Sequence, residues 1–426
     1  MLNFHRAAIA ALILFVFGVI APREADAQSG ARLRGSKLDE GQKRLGIGKI
    51  PGDLSQLGYV VADGVVFLPT ASFETGYNSN PDELFSAIEG SPYGLANANG
   101  VLAFIRQTGA TTVAVRGTAL QYNGDIKNSS RWDAGAAIDN AYAVAPGITA
   151  TFGGYYLRDE INLVPSDNAG GYSQLAYKDD GFEAFARIKG DQIAYLGGVD
   201  NAASIPVSLL PFLKPNQFDV RRLEGVAGFI FGPAAKVGFY GELGGSDLNY
   251  LSQNAEALLD RDAGEFWAVA GVRLNLHRTL VIDAGWRVNH RSIEDRTAKE
   301  HSSSFFDGKL TWAPADNFSI QAEIDRTLVE PVTAFAVVGD RTRYAATANY
   351  IPAPLWSFSA SLRYEVLDQI GDVLEYREIG AGLAVAYEFS ERTAIYGLID
   401  YEHVEETFTG DTYDRVQIGA GTRVKF

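Results

Sequence analysis

The chain has 426 residues, 46% hydrophobic and 12% aromatic, with no Cys and with 52 acidic against 37 basic residues, a formal net charge of −15. That much apolar material excludes wholesale disorder, the acidic balance argues against a nucleic-acid partner, and the absence of Cys excludes disulfide scaffolds, thiol nucleophiles and thiolate metal sites. A mean hydropathy of −0.05 also excludes a bundle of transmembrane helices, each of which needs about 20 apolar residues in a row.

At the N-terminus, His5 and Arg6 precede an apolar run from Ala7 to Ala21, and Ala25-Asp26-Ala27 follows as a small-x-small site ahead of Gln28. This pattern predicts a cleaved secretory signal over residues 1–27, the apolar run being short for a bilayer span. Residues 28–60 mix Gly, Ser and charge without sustained periodicity and read as a polar periplasmic leader. From residue 61 onward the texture changes to period two, which continues to Phe426.

About 18 alternating segments are expected, near 64–77, 98–108, 111–122, 131–143, 147–158, 172–188, 191–200, 218–231, 235–247, 264–276, 279–290, 303–313, 317–328, 341–351, 355–366, 376–389, 393–403 and 413–426. In one of them Trp356, Phe358, Ala360, Leu362, Tyr364 and Val366 alternate with Ser357, Ser359, Ser361, Arg363 and Glu365, a pattern that a helix would scramble. Short connections (Thr108 to Ala110, Pro146, Gly190, Pro233, His277-Arg278, Pro314 to Asp316, Pro352 to Pro354, Ser390 to Arg392) take turns with longer polar ones. Tight turns at one end and loops at the other are what a transmembrane up-and-down β-barrel of about 16 to 18 antiparallel strands has. A membrane sheet must also close, because each unpaired edge group costs several kcal/mol in hydrocarbon.

The alternation assigns faces. Trp312, Phe318, Tyr350, Trp356, Tyr387 and Phe389 gather at the short-turn end as an expected membrane girdle, with Tyr77, Tyr122, Tyr364 and Tyr401 as candidates for a second girdle at the loop end. The opposite parity supplies candidate pore-lining residues: Arg273, Asp283, Arg287, Asp307, Lys309, Glu323, Asp325, Arg343, Arg363, Glu365, Glu378, Glu388, Arg415, Arg423 and Lys425. Both signs are present, which suits neutral hydrophilic solutes, sugar chains or internal ion pairs bracing the wall better than an ion-selective filter. Gly380, Gly382, Ala384 and Ala386 keep one inward strip low.

Catalytic and metal motifs are sparse. Asn289-His290-Arg291-Ser292 contains a His-x-Ser, whose i and i+2 side chains share a strand face, but its parity points toward lipid. His277, His301 and His403 are scattered, so no metal site, cofactor or enzymatic activity is expected. Acidic pairs such as Asp179-Asp180, Asp260-Arg261-Asp262 and Glu405-Glu406 are Ca²⁺-bridging candidates toward lipopolysaccharide, or simply solvated loops.

The stretch DGVVFLPTASFETGYNSNP (63–81), with Pro69, Glu74, Gly76, Tyr77, Asn78 and Asn80, resembles the opening strand of the β-barrel porin 2 family. The closing FTGDTYDRVQIGAGTRVKF, with Tyr413, Asp414 and Arg415, is similar to that family's last hairpin, and a terminal Phe426 resembles the signal read by the outer-membrane barrel assembly machinery. The resemblance implies an outer-membrane channel over residues 61–426, with a role in export of extracellular or capsular polysaccharide and a separate periplasmic export partner. The competing expectations are a structural or adhesive barrel with a closed lumen, and a lipid hydrolase built on His290 and Ser292.

Overall fold

The computed structural model describes residues 59–81, 90–123, 130–159, 166–195, 219–251, 260–294, 300–330, 336–371, 375–390, 392–407 and 410–425. The expected signal segment, most of the leader and Phe426 lie outside the described residues.

A four-residue strand, β1 (Tyr59–Ala62), precedes eighteen long ones: β2 (Val65–Asn78), β3 (Ser91–Arg106), β4 (Gly109–Tyr122), β5 (Ser130–Ala145), β6 (Ile148–Asp159), β7 (Ser166–Lys178), β8 (Phe182–Tyr195), β9 (Val220–Phe231), β10 (Val237–Tyr250), β11 (Ala263–His277), β12 (Leu280–Ile293), β13 (His301–Ala315), β14 (Phe318–Val329), β15 (Val338–Ala353), β16 (Trp356–Ile370), β17 (Glu375–Ser390), β18 (Thr393–Glu406) and β19 (Asp411–Lys425). Each long strand pairs antiparallel with the next, and β19 returns to β2 from Gln417↔Asn78 to Lys425↔Thr70. The sheet is therefore a closed eighteen-strand up-and-down barrel. Beyond Thr70, the place on the edge of β2 that β19 no longer covers is taken by β1, with Val60 opposite Val66.

The connections follow the expected alternation. Two- to five-residue turns at 107–108, 146–147, 179–181, 232–236, 278–279, 316–317, 354–355 and 391–392 form one end, and the longer connections join the strands at the other. Turn chemistry explains the reversal at 146–147 and the one between β1 and β2: Gly147 behind Pro146 and Gly64 behind Asp63 adopt φ of 74° and 69°, a region open to glycine.

One hairpin differs from the sequence expectation. A strand was expected over 172–188 with a turn at Gly190, whereas β7 ends at Lys178 and β8 begins at Phe182. Asp179 makes the turn, its Oδ1 accepting from the Gly181 and Phe182 amides at 2.8 and 2.7 Å, while Gly190 sits in mid-strand opposite Gly171. An Asx turn ending in glycine outcompetes an isolated strand glycine as a chain reversal.

Burial is inverted relative to a soluble protein. Phe73, Ile188, Leu223, Trp286 and Ile399 are exposed on the outer wall, while Asn78, Asp133, Lys189, Arg291 and Glu378 are buried inside. Apolar side chains cover the outer wall, far more than a water-facing surface sustains. Strands of 12 to 16 residues, at about 3.3 Å per residue and a tilt near 40°, cover roughly 30 Å or more along the barrel axis.

Candidate functional site: the inner wall

Strand parity carries every one of the fifteen sequence-predicted interior residues onto the inner wall. On β11 to β14 they form a row of alternating sign, because the register sets Arg273 opposite Asp283, Asp283 opposite Lys309 and Lys309 opposite Glu323. Arg273 holds Asp283 with two bonds, Nε to Oδ1 at 2.7 Å and Nη2 to Oδ2 at 2.8 Å. One layer nearer the loops, Arg287 Nε donates to Asp307 Oδ2 at 2.8 Å, and Arg343 forks to Asp325 and Glu323, each at 3.0 Å.

A second group lies on β16 to β19. Arg363 bonds Glu378 and approaches Glu402 Oε2 at 3.6 Å, and Arg415 Nη2 donates to that same Glu402 oxygen at 2.8 Å. Glu365 stands opposite Glu378 in register and is buried with it. Toward the turns, Arg423 Nη2 reaches Glu388 Oε1 at 3.2 Å and Lys425 lies 4.0 Å from the same oxygen. Charges this enclosed are held by their partners: removing one member of such a pair leaves the other desolvated and unpaired, at a cost of about 3 to 5 kcal/mol.

The sequence reading missed a third group of comparable size on β2 to β10. Asp191 on β8 gathers Lys189 Nζ at 2.9 Å, Arg222 Nη2 at 3.1 Å and the Tyr155 hydroxyl at 2.7 Å. Arg187 Nη2 donates to Glu224 at 3.0 Å, Arg116 Nη2 to Asp133 at 3.2 Å, and the Tyr172 hydroxyl to Asp139 at 2.8 Å. At the closing seam, Gln417 Nε2 donates to the Tyr93 hydroxyl at 2.9 Å, and that hydroxyl donates to Glu74. The available signal was the Asp179-Asp180-Gly181 turn, which fixes the parity of Arg187, Lys189 and Asp191.

These groups are not spread evenly along the axis. Inward side chains of the loop-end half, including Asn78, Asp133, Lys189, Arg291, Glu365 and Glu378, are buried, whereas Lys309, Gln321 and Glu323 nearer the turns are exposed. The enclosed charges gather at the loop end, while at the turn end Val66, Ala103, Thr112 and Ser357 are buried beside these exposed positions.

On the outer wall, the aromatic residues predicted at the turn end form a packed band. Trp312 meets Phe318 edge-on with centroids 6.1 Å apart, Phe318 meets Tyr350 at 6.3 Å, and Trp356 packs on Tyr387 at 4.9 Å; Phe389 is exposed on the same face. At the loop end Tyr77, Tyr364 and Tyr401 are exposed outward, but Tyr122 is not. It shares the parity of Arg116 and Leu120, is 1% exposed, and packs edge-on against Tyr93 inside the wall, where its hydroxyl accepts from Asn78 Nδ2 at 3.3 Å.

The His-x-Ser of β12 does not close on itself. His290 Nδ1 lies 2.8 Å from Ser302 Oγ on β13. Of the acidic pairs, Asp179 and Asp180 occupy a short turn and Glu405 and Glu406 belong to β18, so neither pair lies in a long loop. Among the described residues no three His, Asp or Glu side chains converge as a metal site.

No protein-family model and no curated protein matches this chain. Similar solved structures include OpdQ of Pseudomonas aeruginosa, at 10% identity over 87% of this chain and 100% of that one with a TM-score of 0.47. They also include the FrpB iron transporter of Neisseria meningitidis, at 8% identity over 83% of this chain and 64% of that one with a TM-score of 0.46. The copper transporter OprC has 10% identity over 82% of this chain and 62% of that one, with a TM-score of 0.46. The chain spans less than two thirds of the length of FrpB and OprC.

Proposed function

We propose that this chain is an outer-membrane channel that passes hydrophilic solutes and performs no covalent chemistry of its own. The observation that carries the reading is the inverted barrel: an apolar outer wall banded by Trp312, Phe318, Tyr350, Trp356 and Tyr387 around an interior of paired charges. Closure on this scale leaves an aqueous interior, and paired charges of both signs weaken any preference for ions of one sign. Lipid and lipopolysaccharide are the surroundings such a wall fits, and the barrel assembly machinery is the partner that would insert it. The finer reading is export of a polysaccharide chain with a periplasmic partner supplying the inner path; it is supported by the resemblance of residues 63–81 and of the closing hairpin.

Purified protein in planar lipid bilayers is expected to give discrete conductance steps, and their absence under every applied voltage and salt condition would reject the channel. A second reading, a structural barrel with an occluded lumen, is favoured by the crowding of buried side chains at the loop end, and the same recording decides between them. Lipid hydrolysis is the least supported reading, since the imidazole of His290 faces Ser302 and not Ser292.

A further inference from the structure

The wall is not continuous between β13 and β14. Their ladder runs from Ala315↔Phe318 only to Gly308↔Ile324, although β13 continues to His301 and β14 to Val329. Continuing the register would set Asp307 opposite Asp325, two like charges that oppose pairing. Each carboxylate is instead taken by an arginine of its other neighbour, Asp307 by Arg287 and Asp325 by Arg343.

Beyond that point β14 lies on the lumen side of β13, because contacts skip a strand. Asn289 Nδ2 and Arg291 Nη1 of β12 donate to the Arg326 and Val329 carbonyls of β14 at 3.0 and 3.3 Å. From β13, His301 Nε2 lies 2.8 Å from Asp340 Oδ2 of β15, and the Phe305 ring sits 6.0 Å from the Arg326 guanidinium carbon. Asn289, Arg291, His301 and Phe305 all belong to the inward face, so what they touch is inside the wall. Asp340 agrees: it shares the outward parity of Tyr344 and Tyr350 yet is 1% exposed, covered by β13.

We propose that the loop-end halves of β14 and β15, residues 325–329 and 338–342, are a flap folded into the lumen that gates the channel, hinged at Gly308 and Ile324. In the inward position the flap narrows the loop end of the barrel, where the enclosed charges gather. In the outward position it continues the ladder along β13, with Phe305 opposite Thr327 and Ser303 opposite Val329. The carbonyls that accept from Asn289 and Arg291 then take strand partners, so the flap exchanges side-chain donors of β12 for ladder bonds to β13 and is a two-state element. The gate rests on the channel reading.

Two substitutions with unrelated chemistry test it. His301→Ala removes a wall-to-flap bond, and Asp307→Asn removes the like charge that opposes zipping; both favour the outward position. Losing one such hydrogen bond shifts a two-state ratio by about fivefold, so each variant is expected to raise the open fraction in planar bilayers several-fold. Hydrogen exchange is expected to slow in peptides covering 301–307 and 325–329 and to stay unchanged elsewhere. Heat-modifiable mobility on SDS gels verifies folding, and either variant alone, if folded, decides the outcome. Wild-type conductance and exchange in folded variants would overturn the gate and leave the channel standing; no conductance from the wild type or either variant would overturn the channel and the gate with it.

Discussion

The barrel has two short ladders, and they are secured in opposite ways. At the closing seam, β19 and β2 come from the two ends of the barrel, and the join is stitched from inside: Tyr93 reaches over it to Glu74 and Gln417, and Tyr396 bonds Glu74 from the other side. Glycines make room for both rings, since a Cβ at Gly419 would lie 2.6 Å from the Tyr93 hydroxyl and one at Gly421 2.6 Å from that of Tyr396. At the β13–β14 seam the facing groups are two aspartates, and the ladder stops there. A short ladder holds where side chains from neighbouring strands converge on it, and parts where the next residues in register repel.

The largest effect is expected from closing off that room. A Cβ at Gly76 would lie 2.0 Å from the Ile418 carbonyl oxygen, a backbone atom that cannot swing aside. Gly76→Ala should cost about 3 kcal/mol or more, read as loss of the heat-modifiable form on SDS gels; a fully folded, equally stable variant would mean that the seam tolerates spreading. Glu74→Gln keeps the shape but gives up charged acceptors for two hydroxyls, and a loss of about 2 kcal/mol is expected in urea unfolding from detergent or lipid. If Glu74→Gln is neutral, the tyrosines pack on the seam without stitching it. The smallest effect belongs to the parted seam: Asn289→Ala removes a bond to the Arg326 carbonyl and a long one to Ser303 Oγ, and should lower stability by about 1 kcal/mol. A loss there as large as at Gly76 would make the skip-strand contacts part of the global fold and not of a movable element.

Much of this was legible in the chain. Alternation at Trp356 to Val366 or Ile379 to Phe389 leaves one arrangement of faces, and proline, glycine and Asx signals mark the reversals, so strand number, order and the interior charges of β11 to β19 follow from local rules. The first half was harder to read because small residues dilute the contrast between faces: Gly170-Gly171, Gly153-Gly154 and the alanines of β5 carry little parity signal. That is how the turn at Asp179 was displaced to Gly190 and how Arg187, Lys189 and Asp191 escaped notice.

Which side chains share a face follows from the chain alone, because period two is a property of the single strand, and closure follows too, because unpaired edge groups in hydrocarbon demand it. The partners of those side chains come from the folded barrel. Gln417 and Tyr93 stand 324 positions apart and meet because β19 closes on β2. Tyr122 follows the inward parity of Arg116 and Leu120, and the closed barrel brings Asn78 to its hydroxyl and Tyr93 to its ring. Asp340 has the outward parity of its strand and is nevertheless buried, because parity fixes a direction relative to the local sheet, and a sheet that folds inward carries that direction with it.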